Sequence, residues 1–248
     1  MQYDILGKRL LEIGAKRIFE VFLKIKIKNV KITPLPSEIL RIDRADAPFL
    51  IQTSDKKIVY LIELQSRWNN EKALALAEYY LAFKRKYKKP VKVIVFLFDA
   101  RSNPNGFYKD ESLAFKIKIV HIGRLQAKAY IHFKYPEILP FIALMKDSEK
   151  YIDEMAEIVY HSKKDKHEKA DILSGIAVFY GFNNKKLSHE LRNRWRNFMI
   201  ESPVLDEIKA EGKAEGKAET ARKMKAEKLP IDLIEKITGL SPEEIAIL

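Results

Sequence analysis

Lys56-Lys-Ile-Val-Tyr-Leu-Ile-Glu-Leu-Gln65 is the centre of the predicted sheet. In an extended chain, even-numbered residues point to one face and odd-numbered residues to the other. Both faces of this stretch begin apolar, and the odd-numbered face becomes polar only at Glu63 and Gln65. The pattern predicts a strand buried between two layers, with a carboxylate and an amide emerging together at its end. A buried glutamate is costly, so a metal ion, a buried ion pair or a catalytic role is expected to explain it.

The composition is that of a globular protein with polyanionic partners. The chain has 248 residues, 47% of them hydrophobic, which suffices for one domain of about 150 residues with additions. It contains no cysteine, so a metal would need oxygen or histidine ligands. The longest apolar run, Val93 to Phe98, is too short to span a bilayer, and the first residues lack a signal-peptide core. We therefore expect a cytoplasmic protein with no membrane partner. Its net charge of +12 favours nucleic acid as a partner.

Residues 1–145 are predicted to form an α/β core. A helix is expected from Asp4 to about Lys24, then extended segments at 27–32 and 39–52, the latter forming a hairpin with the strand that ends at Gln65. A helix from Glu71 to about Tyr87 and an apolar strand from Val91 to Phe98 complete a parallel strand-helix-strand unit. Alternating segments are predicted at 113–122 and 127–133. The inward side of the second helix is predicted to carry Leu74, Ala77, Tyr80 and Leu81.

The remaining chain is predicted to be helical. Three helical patterns at 148–160, 165–180 and 184–200 indicate a helical subdomain over residues 146–205, with Ser148 capping the first and Gly181 ending the second. Residues 206–228 are a low-complexity charged segment whose period of four sets like charges four apart. This segment is predicted to be a linker, or a helix that needs a partner. Residues 229–248 are predicted to form two short helices, with Gly239 ending the first and a capping box at Ser241 starting the second.

Two carboxylates form the main chemical constellation. Asp46 precedes Glu63 by a spacing that a hairpin can bring side by side, and the Leu64 backbone carbonyl lies next to Glu63 in the sequence. Oxygen ligands of this kind suit Mg²⁺ or Mn²⁺, which can activate water against a phosphodiester. The alternative is structural: Asp46 would cap a turn or form a salt bridge, and Glu63 would pair with Arg41 or Arg44.

Further residues are candidates for contacting nucleic acid. The basic run Lys84, Arg85, Lys86, Lys88 and Lys89 is either a phosphate-binding track or a solvated helix end. Trp68 and Tyr79 can stack on an exposed base, although packing in the core or at its rim is the commoner role of such residues. The five histidines show no metal-binding spacing. The Ile-Thr-Gly-Leu-Ser turn of the tail invites a helix-turn-helix interpretation, but its last helix is short and carries Glu243 and Glu244, so docking or self-association is favoured.

Several of these motifs together resemble a known family. They are Arg44-Ala-Asp46, Leu61-Ile-Glu-Leu-Gln-Ser66, the following helix with Glu78-Tyr79, the Glu-Gly-Lys-Ala repeats and the Ile-Thr-Gly-Leu-Ser tail. The chain thereby resembles, over nearly its whole length, the Rpn-type recombination-promoting nuclease and transposase-like branch of the PD-(D/E)XK nuclease superfamily. The resemblance implies a restriction-endonuclease-like core, a mixed sheet flanked by helices with the order αβββαβ, followed by a C-terminal helical extension.

The resemblance also assigns roles to residues. It implies that Asp46 and Glu63 are metal ligands, that Gln65 stands where the superfamily usually has lysine, and that Glu12 is the first-helix acid, with Glu20 as the competing choice. A neutral Gln65 can orient water but supplies no positive charge, so another cation is required, for which Lys84 and Lys86 are candidates. Ala75 stands where relatives tend to have arginine.

The expected function is a Mg²⁺-dependent DNA endonuclease linked to recombination or mobile elements. The alternative is a non-catalytic nucleic-acid-binding or protein-docking module on a degenerate nuclease fold, and an RNA-directed nuclease is a third possibility. Self-association is expected to involve the C-terminal helices.

Overall fold

The described part of the chain forms a mixed β-sheet flanked by helices. The structure, a computed structural model, describes residues 2–27, 30–33, 49–53, 58–109, 111 and 113–248. Its strands are β1 Val30–Thr33, β2 Phe49–Thr53, β3 Val59–Gln65, β4 Val91–Leu97, β5 Phe107–Lys109, β6 Ala114–Lys116 and β7 Lys118–His121. Its helices are α1 Gln2–Ile18, α2 Asn70–Tyr87, α3 Lys128–Ile131, α4 Leu139–Ile142, α5 Ile152–Tyr160, α6 Lys166–Asn183, α7 Lys185–Arg194, α8 Arg196–Met199, α9 Pro203–Ala226, α10 Ile231–Thr238 and α11 Pro242–Ile247. A π-helical turn, Phe19–Leu23, continues α1.

The main sheet has the strand order β1-β2-β3-β4-β7. The first three strands are antiparallel, and Phe49 of β2 lies opposite Ile62 of β3. Strands β3, β4 and β7 are parallel, with Val59 opposite Val91. The predicted hairpin and the predicted parallel strand-helix-strand unit are therefore both confirmed. The coarse prediction of an α/β fold is confirmed with them.

Both faces of β3 are covered, as the alternation in its sequence predicts. All residues from Val59 to Gln65 are buried. On the even-numbered face, α1 packs so closely that a Cβ at Gly7 would lie 1.8 Å from the Leu64 side chain, and the Phe19 and Tyr60 rings lie 5.1 Å apart. On the odd-numbered face, Val59 and Leu61 share one apolar cluster with residues of α2.

The inward side of α2 differs from the prediction. Leu74 and Leu81 are 44% and 51% exposed, whereas Ala73, Leu76 and Phe83 are buried against the sheet. Ala77 is buried as predicted, and Tyr80 is half-buried. Apolar residues lie on nearly all sides of α2, so its sequence does not determine which side faces the sheet. The prediction for Leu74 and Leu81 was wrong for this reason.

Three further local predictions were wrong. Residues 127–133, predicted to alternate like a strand, contain the helix α3. The Ser148 hydroxyl donates to the Ala143 carbonyl instead of capping a helix, and α6 continues past Gly181 to Asn183. Helix α3 and the helical turn at Ser148 have four residues each, so contacts with distant residues outweigh their local patterns. Helix α6 continues through Gly181 because a glycine inside a helix of 18 residues costs only about 1 kcal/mol.

The chain divides into two compact units, Met1–Ser202 and Pro203–Leu248. In the first unit, α6 is buried from Ala170 to Tyr180, and Gly175 approaches Pro140 closely. In the second unit, the charged segment is the helix α9, which settles the choice between linker and helix. The predicted helix end at Gly239, which adopts the αL conformation, and the predicted capping box at Ser241 are confirmed. Among the described residues, no helix is both long and apolar enough to cross a membrane.

Candidate active site

Glu63 and Gln65 form a buried polar pair at the carboxyl end of β3. Their exposures are 5% and 4%, and the Gln65 side-chain amide donates a hydrogen bond to Glu63 Oε1. Both side chains lie on the face covered by α2, because they alternate with Leu64, whose side chain packs against α1. The sequence therefore predicted correctly that a carboxylate and an amide emerge together from a buried strand.

This pair lies at the edge where three parallel strands end. Gln65 of β3 is in register with Leu97 of β4, which is in register with His121 of β7. The Phe98 and Asp99 backbone N–H groups donate to the Gln65 and Ser66 carbonyls, so the chains leaving β3 and β4 start side by side. Ligands of open α/β sheets bind at the carboxyl ends of such strands. This edge is the candidate site.

The backbone of β3 turns the predicted carbonyl ligand toward β2. Gln65 O accepts from the Phe98 N–H group directly after β4, and successive carbonyls of a strand point in opposite directions, so Leu64 O points to the β2 side. Strand β2 begins opposite Ile62, one residue from Glu63. Asp46, together with Arg41 and Arg44 of the structural alternative, lies outside the described residues. The pairing of Asp46 with Glu63 therefore stays a prediction.

Two of the three predicted metal ligands thus occupy one end of β3. In the part of the chain that the structure describes, no group of three or more His, Cys, Asp or Glu side chains could hold a metal ion. The donors present there are the Glu63 carboxylate and the Leu64 carbonyl, both oxygen atoms of the kind that Mg²⁺ accepts. The metal site stays a prediction, because Asp46, the further carboxylate predicted for it, lies outside the described residues.

The first-helix acids lie on the other side of the sheet from the Glu63 side chain. Glu12 of α1 is 41% exposed and lies 3.6 Å from Arg9 Nη1. Glu20 accepts a hydrogen bond from Arg17 at 2.8 Å. The described contacts of both acids are with arginines near them in sequence, so the structure does not bring either one to Gln65. The role of Glu12 stays a prediction.

The basic run lies at the far end of α2. The helix starts at Asn70, beside the edge where β3 ends, and Lys84 is fourteen residues further on, about 21 Å along the axis. Five basic residues surround the end of α2, near the start of β4: Lys84, Arg85, Lys86, Lys88 and Lys89. Of these five, only Lys89 is partly buried. The structure therefore does not bring Lys84 or Lys86 to Gln65. Their binding of DNA stays a prediction.

Sequence reasoning assigned no role in the site to the loop that follows β4, which hydrogen bonds hold in place at the candidate edge. Asp99 follows β4 and accepts from the Arg101 backbone N–H at 3.0 Å, the Arg101 guanidinium at 3.2 Å and the Ser102 hydroxyl at 3.0 Å. Burial pushes the pKa of Asp99 upward, but these hydrogen bonds outweigh it and lower the pKa. The signal was present, since an aspartate directly after an apolar parallel strand marks its carboxyl end.

His121 does not supply the missing positive charge. Burial, and secondly the nearby Arg124 guanidinium, lower the pKa of His121. Its ring is therefore neutral at pH 7, and Nδ1 is buried without a hydrogen-bond partner among the described residues. Among the described residues, the exposed cations at this edge include Arg67, two residues after Gln65, and Arg101, whose side chain is 82% exposed.

The two aromatic candidates for base stacking differ in accessibility. Tyr79 is 3% exposed and belongs to the core beneath α2. Trp68 is half-buried and lines a cavity at the candidate edge.

Comparison of the chain with protein-family models, curated proteins and solved structures finds no match.

Proposed function

We propose that this protein is a metal-dependent endonuclease that hydrolyses phosphodiester bonds of DNA. The observation that carries the proposal is the buried Glu63–Gln65 pair at the carboxyl end of the central strand. A carboxylate in that position is costly to bury and is accompanied by an amide that can orient water. The net charge of +12 suits a polyanionic substrate.

The order of the elements supports a restriction-endonuclease-like core. A helix, three antiparallel strands, a helix and a parallel strand follow one another in the chain. This is the order αβββαβ implied by the resemblance to the Rpn-type branch. Fold-level likeness alone does not establish an activity, so the function depends on the site.

The path of β2 supports a role for Asp46. Asp46 lies three residues before Phe49, so the Cα atoms of these two residues are at most about 11 Å apart. Phe49 is opposite Ile62, next to Glu63. The covalent chain therefore keeps Asp46 within reach of the end of β3 where Glu63 and the Leu64 carbonyl lie.

Each residue of the proposed site has a separate role in metal binding, water orientation or phosphate binding. Asp46, Glu63 and the Leu64 carbonyl would hold Mg²⁺ or Mn²⁺, which would lower the pKa of a bound water and offset phosphate charge. Gln65 donates its amide hydrogen to Glu63 and can accept from a water with its own oxygen. Arg67 and Arg101, exposed at this edge, are the proposed phosphate-binding cations in place of the missing lysine.

Nicking of supercoiled plasmid with Mg²⁺ tests the proposal. We expect Glu63→Gln and Asp46→Asn each to lower the nicking rate at least about 100-fold, because each removes an anionic ligand while nearly conserving side-chain volume. The matched control is Glu190→Gln on α7, an exposed carboxylate 3.9 Å from Lys186, which is expected to cleave like wild type. Wild-type cleavage rates in both site variants, with unchanged melting temperatures, would overturn the proposal.

A non-catalytic DNA-binding or docking module is the second candidate. Two observations favour it: the Gln65 amide is bonded to Glu63, and the exposed basic run lies about 21 Å from the candidate edge. This candidate predicts DNA binding that weakens steeply with salt, without cleavage in Mg²⁺ or Mn²⁺. Competition with RNA in the same binding assay distinguishes an RNA-directed protein from a DNA-directed one.

A further inference from the structure

A cavity of about 310 Å³ opens beside the candidate active site. One wall is Trp68, three residues after Gln65, and another is the loop 102–105 that follows β4. Strand β5 and the first turn of α2 complete it. The cavity therefore lies between the chains that leave the carboxyl ends of β3 and β4, where α/β folds bind their ligands. Its volume is at the lower end for small-molecule sites, which are about 300–1,000 Å³.

The loop wall of this cavity is held rigidly in place. Arg124 donates to the Ala100 carbonyl at 2.8 Å, the Ser102 carbonyl at 2.9 Å and Asn103 Oδ1 at 3.0 Å. The Trp68 backbone N–H donates to the Ser102 hydroxyl at 3.4 Å, which ties the two walls together. A wall fixed by this many bonds loses little conformational freedom when a ligand binds.

The lining has the chemistry of a base-binding site. Among the described residues, the lining contains no acidic or basic side chain, but it contains the Trp68 indole and two asparagines. Asn103 Oδ1 accepts from Arg124, and Asn105 Oδ1 accepts from the Phe107 backbone N–H at 3.0 Å. These bonds fix the amide orientations and leave the NH₂ group of each asparagine as the donor it can offer. Indole faces and amide donors recognise bases, whereas a phosphate requires cations.

We propose that this cavity binds one unpaired nucleobase of the DNA substrate, stacked on Trp68 and hydrogen-bonded by Asn103 or Asn105. The assignment rests on the proposed nuclease function, and it adds that the substrate presents an unstacked base next to the scissile phosphate. Arg67 and Arg101 lie near the cavity and are exposed, so they are available to the flanking phosphates. A paired base cannot enter a cavity of this size with its partner, so the enzyme acts on single-stranded or distorted DNA.

Binding without divalent ions tests the assignment independently of cleavage. The probes are two short single-stranded oligodeoxynucleotides with the same number of phosphates, one carrying bases throughout and one with abasic positions at its centre. Fluorescence anisotropy of an end label measures their dissociation constants in EDTA. We expect wild-type protein to bind the base-bearing strand about fivefold or more tightly than the abasic strand, because stacking on an aromatic side chain requires a base.

Substitutions in the cavity test whether it is the source of the preference for the base-bearing strand. Trp68→Ala is expected to bring the ratio of the two dissociation constants close to one. Asn103→Asp keeps the oxygen that accepts from Arg124 but replaces the amide donor, so it is expected to reduce the ratio without a change in melting temperature. Phe198→Ala is the control, since Phe198 is an aromatic residue of α8 that is 53% exposed and lies outside the cavity.

The outcomes separate the two proposals. Equal binding of both strands by wild type, no binding of either, or an unchanged ratio in both Trp68→Ala and Asn103→Asp overturns the base assignment. A base preference that needs Trp68, in a protein that cleaves no DNA with any divalent ion, overturns the nuclease proposal and leaves the cavity assigned to a base. Cleavage of plasmid by a protein that binds both strands equally supports the nuclease proposal and overturns the base assignment.

Discussion

At the scale of single residues, His121 is a partly buried ring at the candidate edge whose protonation is disfavoured. The ring ends β7 in register with Leu97 and Gln65, and its Nδ1 is buried without a partner among the described residues. Burial and Arg124 both disfavour a proton on the ring and lower the pKa of His121. The folded protein therefore prefers this histidine neutral, whereas the unfolded chain takes up a proton at the ordinary value of about 6.5.

This difference makes stability depend on pH. As the pH falls below about 6.5, the unfolded chain binds the proton first, so the stability present at neutral pH is lost on acidification. We expect His121→Phe to remove part of the decrease in melting temperature between pH 7.5 and about 5.5. Differential scanning fluorimetry across this range measures it, with His189→Phe on the exposed face of α7 as the control. An identical pH dependence in wild type and His121→Phe would contradict the expectation.

At the scale of elements, α9 is a helix despite a composition that opposes one. It contains Gly212 and Gly216, and its like charges recur every four residues. Opposite charges four residues apart offset part of the repulsion between like charges, as in the ion pair of Lys223 with Glu219 at 2.6 Å. Its last turns pack Ala221 against the two terminal helices. A helix of 24 residues is also long enough to recover the cost of nucleation.

The glycines of α9 offer a test of this balance. A Cβ added at Gly212 or Gly216 meets no atom of the described residues within 4 Å beyond the helix's own nearby backbone. We expect each glycine-to-alanine substitution to stabilise the helix by about 0.5–1 kcal/mol, because alanine loses less backbone entropy. Circular dichroism during chemical denaturation measures the gain. Ala214→Gly, an exposed position between the two glycines, is expected to lower stability by a similar amount, and equal signs for both changes would refute the explanation.

At the scale of the whole molecule, the two compact units have cores of very different size. In the unit Met1–Ser202 the sheet is covered on both faces, whereas in Pro203–Leu248 the buried cluster consists of Ala221, Ile234 and Ile245 with three partly buried neighbours. A unit of this size buries a small share of its surface and is only marginally stable by itself. Single substitutions in its core are therefore expected to have large local effects.

Two isoleucines of α10 distinguish core from surface in this unit. Ile234 is fully buried and Ile237 is 58% exposed. Ile234→Ala is expected to destabilise the unit by about 2–5 kcal/mol through the cavity it leaves, and Ile237→Ala by less than about 0.5 kcal/mol. Hydrogen-exchange mass spectrometry should show faster exchange in residues 203–248 of Ile234→Ala and unchanged protection in β3 and β4. Equal loss of protection in both units would contradict the division.

The parts of the fold that the sequence predicts are those with strong periodicity. Strand β3 and the end of the tail at Gly239 and Ser241 have unambiguous local patterns, and both were predicted correctly. The side of α2 that faces the sheet was not predicted correctly, because apolar residues surround this helix; Leu76 and Phe83 are buried, whereas Leu74 is exposed. Periodicity identifies a helix, but it determines the buried face only where the opposite face is clearly polar.

For the candidate site, the sequence predicted contacts between residues of one strand, but it did not predict which residues of other elements lie near that strand. Glu63 and Gln65 are two residues apart on one strand, so their pairing followed from alternation alone. The basic run follows the same strand in the chain, yet the length of α2 carries it about 21 Å away. Asp99 marks where the loop after β4 begins, but the bonds from Arg124 that hold this loop join residues more than twenty positions apart, for which the sequence gives no local signal.

The position of β3 has a consequence for how the chain folds. Its pairing with β2 closes a short hairpin, whereas its pairing with β4 must wait until the whole of α2 has been placed between them. Closing the longer segment costs more chain entropy and lowers the folding rate. We therefore expect the antiparallel side of β3 to form before its parallel side. The candidate active edge, which needs β4 and β7 in place, is then completed late in folding.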